Sequence, residues 1–340
     1  TKRGLVGDRP VPFWSSHPNS VTMLSLALIT APGLALVARA PAPALSAVRA
    51  PNLAMQLATP PEGYDGAVAA GIKKANMDAG KIFGLGLMSG AHIGFGAFLM
   101  LTVGGQCPGL AATNPGLQKI VAGAFGLPFG LMMTLVTGAE LFTGNTAMVT
   151  TAVAEGKADG GQLAKSWLVS YAGNFLGSVG LAALVAAGGT LAASGAPVAT
   201  AVAKTSLSFK QAFVRGILCN WLVCMAVYMA SMAKDLPGKI VAIWFPISAF
   251  IALGVERSPG GCLLQEAAQA PRVLPIGLEH SVANMFIVPL GILSGAAVTW
   301  KAFLLKNLLP VTLGNIVGGA ALVAGAYSFA YGKLGKPVPA

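Results

Sequence analysis

Glu140 and Glu279 are carboxylates that stand where the surrounding sequence is apolar. Both belong to the pattern G-x-E-x-x-x-x-N, as Gly138-Ala-Glu-Leu-Phe-Thr-Gly-Asn145 and Gly277-Leu-Glu-His-Ser-Val-Ala-Asn284. Each copy is followed by a second echo, Gly173-Asn-Phe-Leu-Gly177 and Gly314-Asn-Ile-Val-Gly318. The separation from glutamate to asparagine is 34 residues in the first copy and 36 in the second. Carboxylates in such surroundings mark a pathway or a structural knot. The expected role is structural: each carboxylate takes backbone N–H groups freed where a helix breaks. Gating is the alternative. His280 stands beside Glu279, and the other histidines are His17 and His92. An imidazole titrates near neutrality, so it exchanges a proton with a weak acid or donates a hydrogen bond while neutral. An anion that gains a proton crosses an apolar constriction at lower cost. The plainer role is a packing histidine bonded to a carbonyl, and His92 is read that way.

The elements that position these groups follow from composition. Of 340 residues, 55% are hydrophobic and 10% charged, whereas a soluble domain carries about 25% charged residues. The apolar stretches reach the roughly 20 residues of a membrane span, too long for buried strands of a soluble α/β fold. The 44 glycines are spread through them, and small residues let membrane helices approach closely. The reading is an all-α polytopic membrane protein with six spans: 82–104, 117–154, 163–188, 211–232, one from Ile240, and 307–331. The second is broken at Thr137–Thr146 and the fifth before Glu279. Spans two and three echo five and six, so the two halves form an inverted repeat whose breaks meet near the midplane. Six spans put both termini on one side. The loop lysines, Lys74 and Lys204 among them, are read as surface anchors that vote for a cytoplasmic or stromal side. Tyr64–Asp78 reads as an amphipathic helix at the interface. Broken helix ends at depth point N–H groups inward, which is an anion site.

The net charge is +11, but the basic residues sit singly in short gaps and form no nucleic-acid stripe. Four cysteines, Cys107, Cys219, Cys224 and Cys262, make neither a CxxC pair nor a metal cluster, so no disulfide, metal or cofactor is expected. No clustered nucleophile and base point to an enzyme. No Walker loop points to ATP-driven transport, and the paired Asn-Pro-Ala breaks of a water or glycerol pore are absent. Residues 1–60 carry Lys2, Arg3, Arg9, Arg39 and Arg49 against Asp8. That is the composition of a chloroplast transit peptide or a disordered leader.

The chain resembles the formate/nitrite transporter family over 62–336. The residues that carry the likeness are the two glutamate motifs, the second extending to Met285, with Trp167-Leu-Val-Ser-Tyr-Ala-Gly-Asn174, Gly216-Ile-Leu-Cys-Asn-Trp-Leu-Val-Cys224 and Asn307-Leu-Leu-Pro-Val-Thr-Leu-Gly-Asn315. With its leader the chain is most similar to the algal chloroplast branch. The resemblance implies a homopentamer of aquaporin-like protomers, each with its own pore for small monovalent anions or their neutral acids, with or without protons. Nitrite entering across the chloroplast inner envelope is the first substrate implied, bicarbonate or formate the alternative. It further implies a central His280 between two constrictions. One is formed by Leu141 and Phe142 with a gate threonine, Thr143. The other sets Phe250 against Leu127 and Phe129. Asn174 and Asn220 either face the pore or bond between helices. Lys165 either attracts anions at a mouth or snorkels. One departure stands out. The family passes from Gly254 almost directly to Leu278, whereas here residues 255–277 intervene, with Glu256, Arg257, Glu266 and Arg272. A retained intron or a loop extruded from the membrane explains such an insert.

Overall fold

The protein was described from a computed structural model that covers residues 58–253 and 277–336. The 1–60 leader (up to its last three residues) and the 255–277 insert (up to Gly277) lie outside the described residues. Every described element is helical. In chain order they are α1 (Pro60–Ala75), α2 (Ala79–Val103), α3 (Pro108–Thr113), α4 (Pro115–Ala124), α5 (Leu127–Thr137), α6 (Phe142–Ala154), α7 (Gly160–Ala187), α8 (Ala196–Thr205), α9 (Phe209–Met232), α10 (Leu236–Leu253) and α11 (Ser281–Leu293). The last, α12, runs Trp300–Tyr331 with two π-helical stretches, Phe303–Leu308 and Val317–Gly325. Among the described residues, six helices are long and apolar enough to cross a membrane: α2, the α4–α5 pair, α7, α9, α10 and α12. The expected spans start close to these, the sixth seven residues late, and the second, expected to run on to 154, ends as a spanning helix at its break, Thr137.

Both breaks are present. α5 ends at Gly138, whose φ of 74° is the left-handed value that only glycine holds without strain. The chain then crosses Ala139–Leu141 outside any helix and restarts as α6, a half-length helix of 13 residues. α11 is likewise 13 residues long. In a bilayer every backbone group must be paired inside the protein. Asn174 does this for the first break: its Oδ1 accepts from Phe142 N–H, and its Nδ2 donates to the carbonyls of Gly86 and Glu140. Asn315 repeats it for the second, accepting from Ser281 N–H and donating to Gly216 and Glu279 carbonyls. The repeat is therefore visible bond by bond.

It also has a fourth member that the sequence reading lacked. α1 packs on α6, and α8 packs on α11. Thus α1 and α8 are counterparts, and Lys74 and Lys204 fall at the same distance before Gly86 and Gly216. The two halves interlock, because α6 packs on α9 and α12 of the second half while α11 packs on α2 and α7 of the first. The amphipathic pattern expected of α1 is present: its Tyr64, Ala67, Gly71 and Ala75 are buried at helical spacing, and that face is committed to protein.

Lipid tails are as apolar as leucine, so close packing and hydrogen bonds rather than the hydrophobic effect hold these helices together. α2 and α7 touch backbone to backbone: a Cβ on Gly177 would strike the Leu87 carbonyl, and one on Gly90 the Asn174 carbonyl. The second half repeats the contact between α9 and α12, with Gly314 against Phe213 and Gly318 against Ile217. A Gly177→Ala variant is expected to lose about 1–3 kcal/mol through overpacking, read as an earlier melt in detergent. Gly66→Ala, with open space at that position, is the matched control and is expected to melt with the parent.

The end of α1 nearest the chain terminus is clasped at Glu155, which follows α6. Glu155 Oε1 accepts from Tyr64 Oη at 2.6 Å, Lys333 N at 2.9 Å and Ser328 Oγ at 3.0 Å. Burial pushes the carboxyl up, but these donors and the Lys333 charge outweigh it and hold Glu155 below its usual value of 4.5. A lowered folded-state value means the clasp is at full strength above about pH 4.5 and fades as pH falls through the folded value. Backbone amides of α1 are expected to exchange hydrogen faster at pH 4 than at pH 7 after correction for intrinsic rates. A Glu155→Gln variant is expected to lose that difference, and an unchanged pH response in the variant would refute the clasp.

Candidate functional site: two half-helix ends and a vestibule

The N-termini of α6 and α11 converge. Thr143 Oγ1 and His280 Nε2 lie 2.9 Å apart, both side chains buried. His280 is also the N-cap of α11, its Nδ1 accepting from Ala283 N–H at 3.0 Å. That bond fixes the tautomer. A ring nitrogen that accepts carries no proton, so the neutral ring bears its proton at Nε2 and donates it to Thr143. The Thr143 hydroxyl proton is then left for another acceptor. Two helix N-termini, a histidine N–H and a threonine O–H thus face one small volume, a constellation that favours negative charge.

The back of Thr143 is braced from α9 and from its own helix. Its carbonyl accepts from Asn220 Nδ2 at 3.2 Å, Cys224 Sγ at 3.3 Å and Thr146 Oγ1 at 2.6 Å. Asn220 Nδ2 also reaches Thr146 Oγ1 and the Asn315 carbonyl. Gly319, in the second π-helical stretch of α12, leaves the room these side chains use. Asn220 and Asn174 are both fully buried. Asn220 braces the gate residue and Asn174 caps its helix, so of their two expected places both take the bond between helices and not the place facing the pore.

The two glutamates do not take freed backbone N–H groups, because Asn174, Asn315 and His280 already do. Glu279 instead bonds Lys204 Nζ at 2.8 Å through Oε1, and Asn284 Nδ2 at 2.6 Å and Asn307 Nδ2 at 3.0 Å through Oε2. Glu140 bonds Lys74 Nζ at 2.7 Å and Asn145 Nδ2 at 2.8 Å. These two lysines are therefore not loop anchors. They come from α1 and α8 and neutralise the carboxylates, as a charge in a membrane interior requires. Nothing local in the sequence marked them, although a buried carboxylate demands a cation and their matched place before Gly86 and Gly216 was there to be read.

A cavity of about 30 Å³ opens on the α8, α10 and α11 side of His280, enough for a water. Leu127 and Phe250 are in its wall, and the Phe250 ring stacks beside His280 at 6.3 Å between centroids. Phe129 is not there. It is 45% exposed, because two residues along a helix turn a side chain through roughly 200°. Leu141 and Phe142 are buried at the first break, and Phe142 is held edge-on by Tyr171 and Trp167. Lys165 is half-buried near the start of α7 and bonds no described residue. The lysines that line the cavity are Lys119 and Lys204. His92 on α2 lies outside it. Among the described residues no group of histidine, cysteine or carboxylate side chains forms a metal site.

The family model described as Formate/nitrite transporter matches residues 61–264 and 273–329. The match enters the insert from both sides and leaves 265–272 unmatched. A "Probable formate transporter" of Methanothermobacter thermautotrophicus is 40% identical over 280 residues, 76% of this chain and 92% of that protein. The "Nitrite transporter NirC" of Escherichia coli K12 is 35% identical over 260 residues, 74% of this chain and 84% of that one. Among solved structures, an "FNT family ion channel" superposes with a TM-score of 0.66 at 30% identity, covering 79% of this chain and 98% of that one. A "Pentameric formate channel with formate bound" gives 0.59 at 29%, covering 75% and 98%. The pseudo-repeated broken helices, the half-helix ends that meet at His280 and the family match over most of the chain agree: this chain belongs to the formate/nitrite transporter family.

Proposed function

We propose that the chain is a membrane channel for small monovalent anions with weak-acid forms, carrying nitrite into the chloroplast stroma across the inner envelope, with bicarbonate or formate as the alternative substrates. The observation that carries this is the Thr143–His280 bond at 2.9 Å, where the N-termini of α6 and α11 converge. Helix ends and donors aimed at one volume stabilise an anion that has left water. The neutral histidine works as a donor here, because protonating Nδ1 would set two N–H groups against each other at Ala283. The formate and nitrite relatives support the substrate class. The basic leader supports the chloroplast, and the likeness to a pentameric formate channel supports five copies, each with its own pore. Exposed Leu168, Leu176 and Leu184 on α7 give such an assembly, or lipid, an apolar face. The pathway does no covalent chemistry.

Proteoliposomes holding the full chain test this. Nitrite, formate and bicarbonate influx are followed by stopped flow against empty vesicles. Nitrite flux well above the empty vesicles, faster than that of chloride, is expected. Absence of flux for all three anions from protein shown to be folded would end the channel reading.

A further inference from the structure

Tyr171 on α7 and Thr312 on α12 meet hydroxyl to hydroxyl, with Oη and Oγ1 3.0 Å apart. Each stands three residues ahead of the asparagine that caps a break, Tyr171 before Asn174 and Thr312 before Asn315. The two are therefore counterparts in the repeat. A residue meets its own counterpart only where the axis relating the two halves passes, so this bond lies at that axis. It ties α7 to α12, whereas α7 packs chiefly on α2 and α11, and α12 on α9 and α6. The surroundings of the pair are not symmetric. Phe142, 3% exposed, sets its ring edge-on to Tyr171 at 4.9 Å between centroids and 81° between planes. At the matching place in the second glutamate motif stands Ser281, which is fully buried. The large ring thus stands on one side of the axis.

Two rings flank Phe142, and each is fastened by its polar handle. Trp167 packs edge-on at 6.3 Å and 84°, and its Nε1 donates to the Asn145 carbonyl at 3.3 Å, which fastens the indole to α6 itself. Tyr171 is fastened by Thr312 instead, from the other half. Interior side chains are close-packed, so a ring that loses its anchor passes the slack to the ring it touches. Phe142 opens α6 one residue before Thr143, at the break where a constriction is expected. We infer that Tyr171 and Thr312 are positioning residues: their hydroxyl bond holds the Phe142 ring in place and so sets the upper size of the anion that passes the first break. The inference rests on the channel reading above and deepens it, by assigning the size limit of that break to a bond made across the two halves.

Influx of formate, acetate and propionate into proteoliposomes of the full chain is measured at one pH, with empty vesicles subtracted. The quantity read is the ratio of each larger anion to formate. Thr312→Val removes one hydroxyl at nearly constant shape, and Tyr171→Phe removes the other. Each is expected to raise the acetate-to-formate ratio about 2- to 10-fold, the span that one lost hydrogen bond allows. The double variant is expected to match the single ones, because both act through one bond. Thr312→Ser keeps a hydroxyl and is expected to keep the parent ratio. A bond that served stability alone would lower the melting temperature and all three fluxes in proportion, and the ratio would stay where it was. Phe142→Ala opens the position itself and is expected to raise the ratio at least as far. If Phe142→Ala raises the ratio and neither hydroxyl variant does, the inference is overturned while the size limit stays with Phe142. A Phe142→Ala protein with the parent ratio overturns the inference whatever the hydroxyl variants do, and the channel reading still stands on the formate flux. No flux of any anion from a folded parent would instead end the channel reading itself.

Discussion

Lys204→Met is expected to destabilise the protein by about 3–5 kcal/mol, the loss seen when one partner of a buried ion pair is removed. Lys204 is 4% and Glu279 0% exposed, and their 2.8 Å contact is the charge compensation at this end of α11. Without the ammonium, Glu279 keeps only two amide donors for a full negative charge, far from water. The double variant Lys204→Met/Glu279→Gln removes both charges and leaves a carbonyl for Asn284 and Asn307, so it is expected to recover most of the loss. The counterpart gives an internal control. The Lys74 side chain is 21% exposed, so water reaches the Glu140 pair, and Lys74→Met is expected to lose less. Thermal melting in one detergent ranks the variants. A Lys204→Met protein that melts with the parent would show that the pair does not hold α8 to α11.

His280→Asn is expected to lower anion flux about 10- to 100-fold, equivalent to the 1.5–3 kcal/mol of a hydrogen bond to a charged group. Asparagine is a favoured N-cap and keeps α11 closed at Ala283 N–H. It is too short to reach Thr143 as the ring does, so the donor pair at the centre is broken while the fold is spared. His280→Ala loses the cap as well and is expected to melt earlier by a further 0.5–2 kcal/mol, roughly. The two variants therefore separate the role of His280 in holding the helix from its role in the pathway. Thr143→Val is expected to match the flux of His280→Asn, and the double variant to fall little further, because the two side chains act through one bond. Wild-type flux in His280→Asn for all anions would leave His280 as a cap and nothing more.

The sequence by itself determined the span set, both breaks and the repeat. Each is written in a local pattern: long apolar runs, Gly138 and Gly277 ahead of the glutamates, and two asparagines at matched distances. His280 and Thr143 stand in those same breaks, so their nearness followed once the breaks were taken to meet. What the side chains of the breaks do with one another was not legible, because it depends on partners far along the chain. Asn174 and Asn315 cap helices that begin more than thirty residues earlier, which left Glu140 and Glu279 free to bind lysines instead of backbone. Lys74 and Lys204 looked like loop anchors because their neighbours in sequence are polar. Only the packing of α1 on α6 and α8 on α11 turns them inward. Leu127 and Phe129 differ by two residues, and only the rotation of α5 against α10 decides which one meets Phe250. Local spacing sets where a membrane helix starts and stops. The requirement that every buried charge and backbone group find a partner is a property of the whole fold, and that is why the tertiary structure alone assigned the roles.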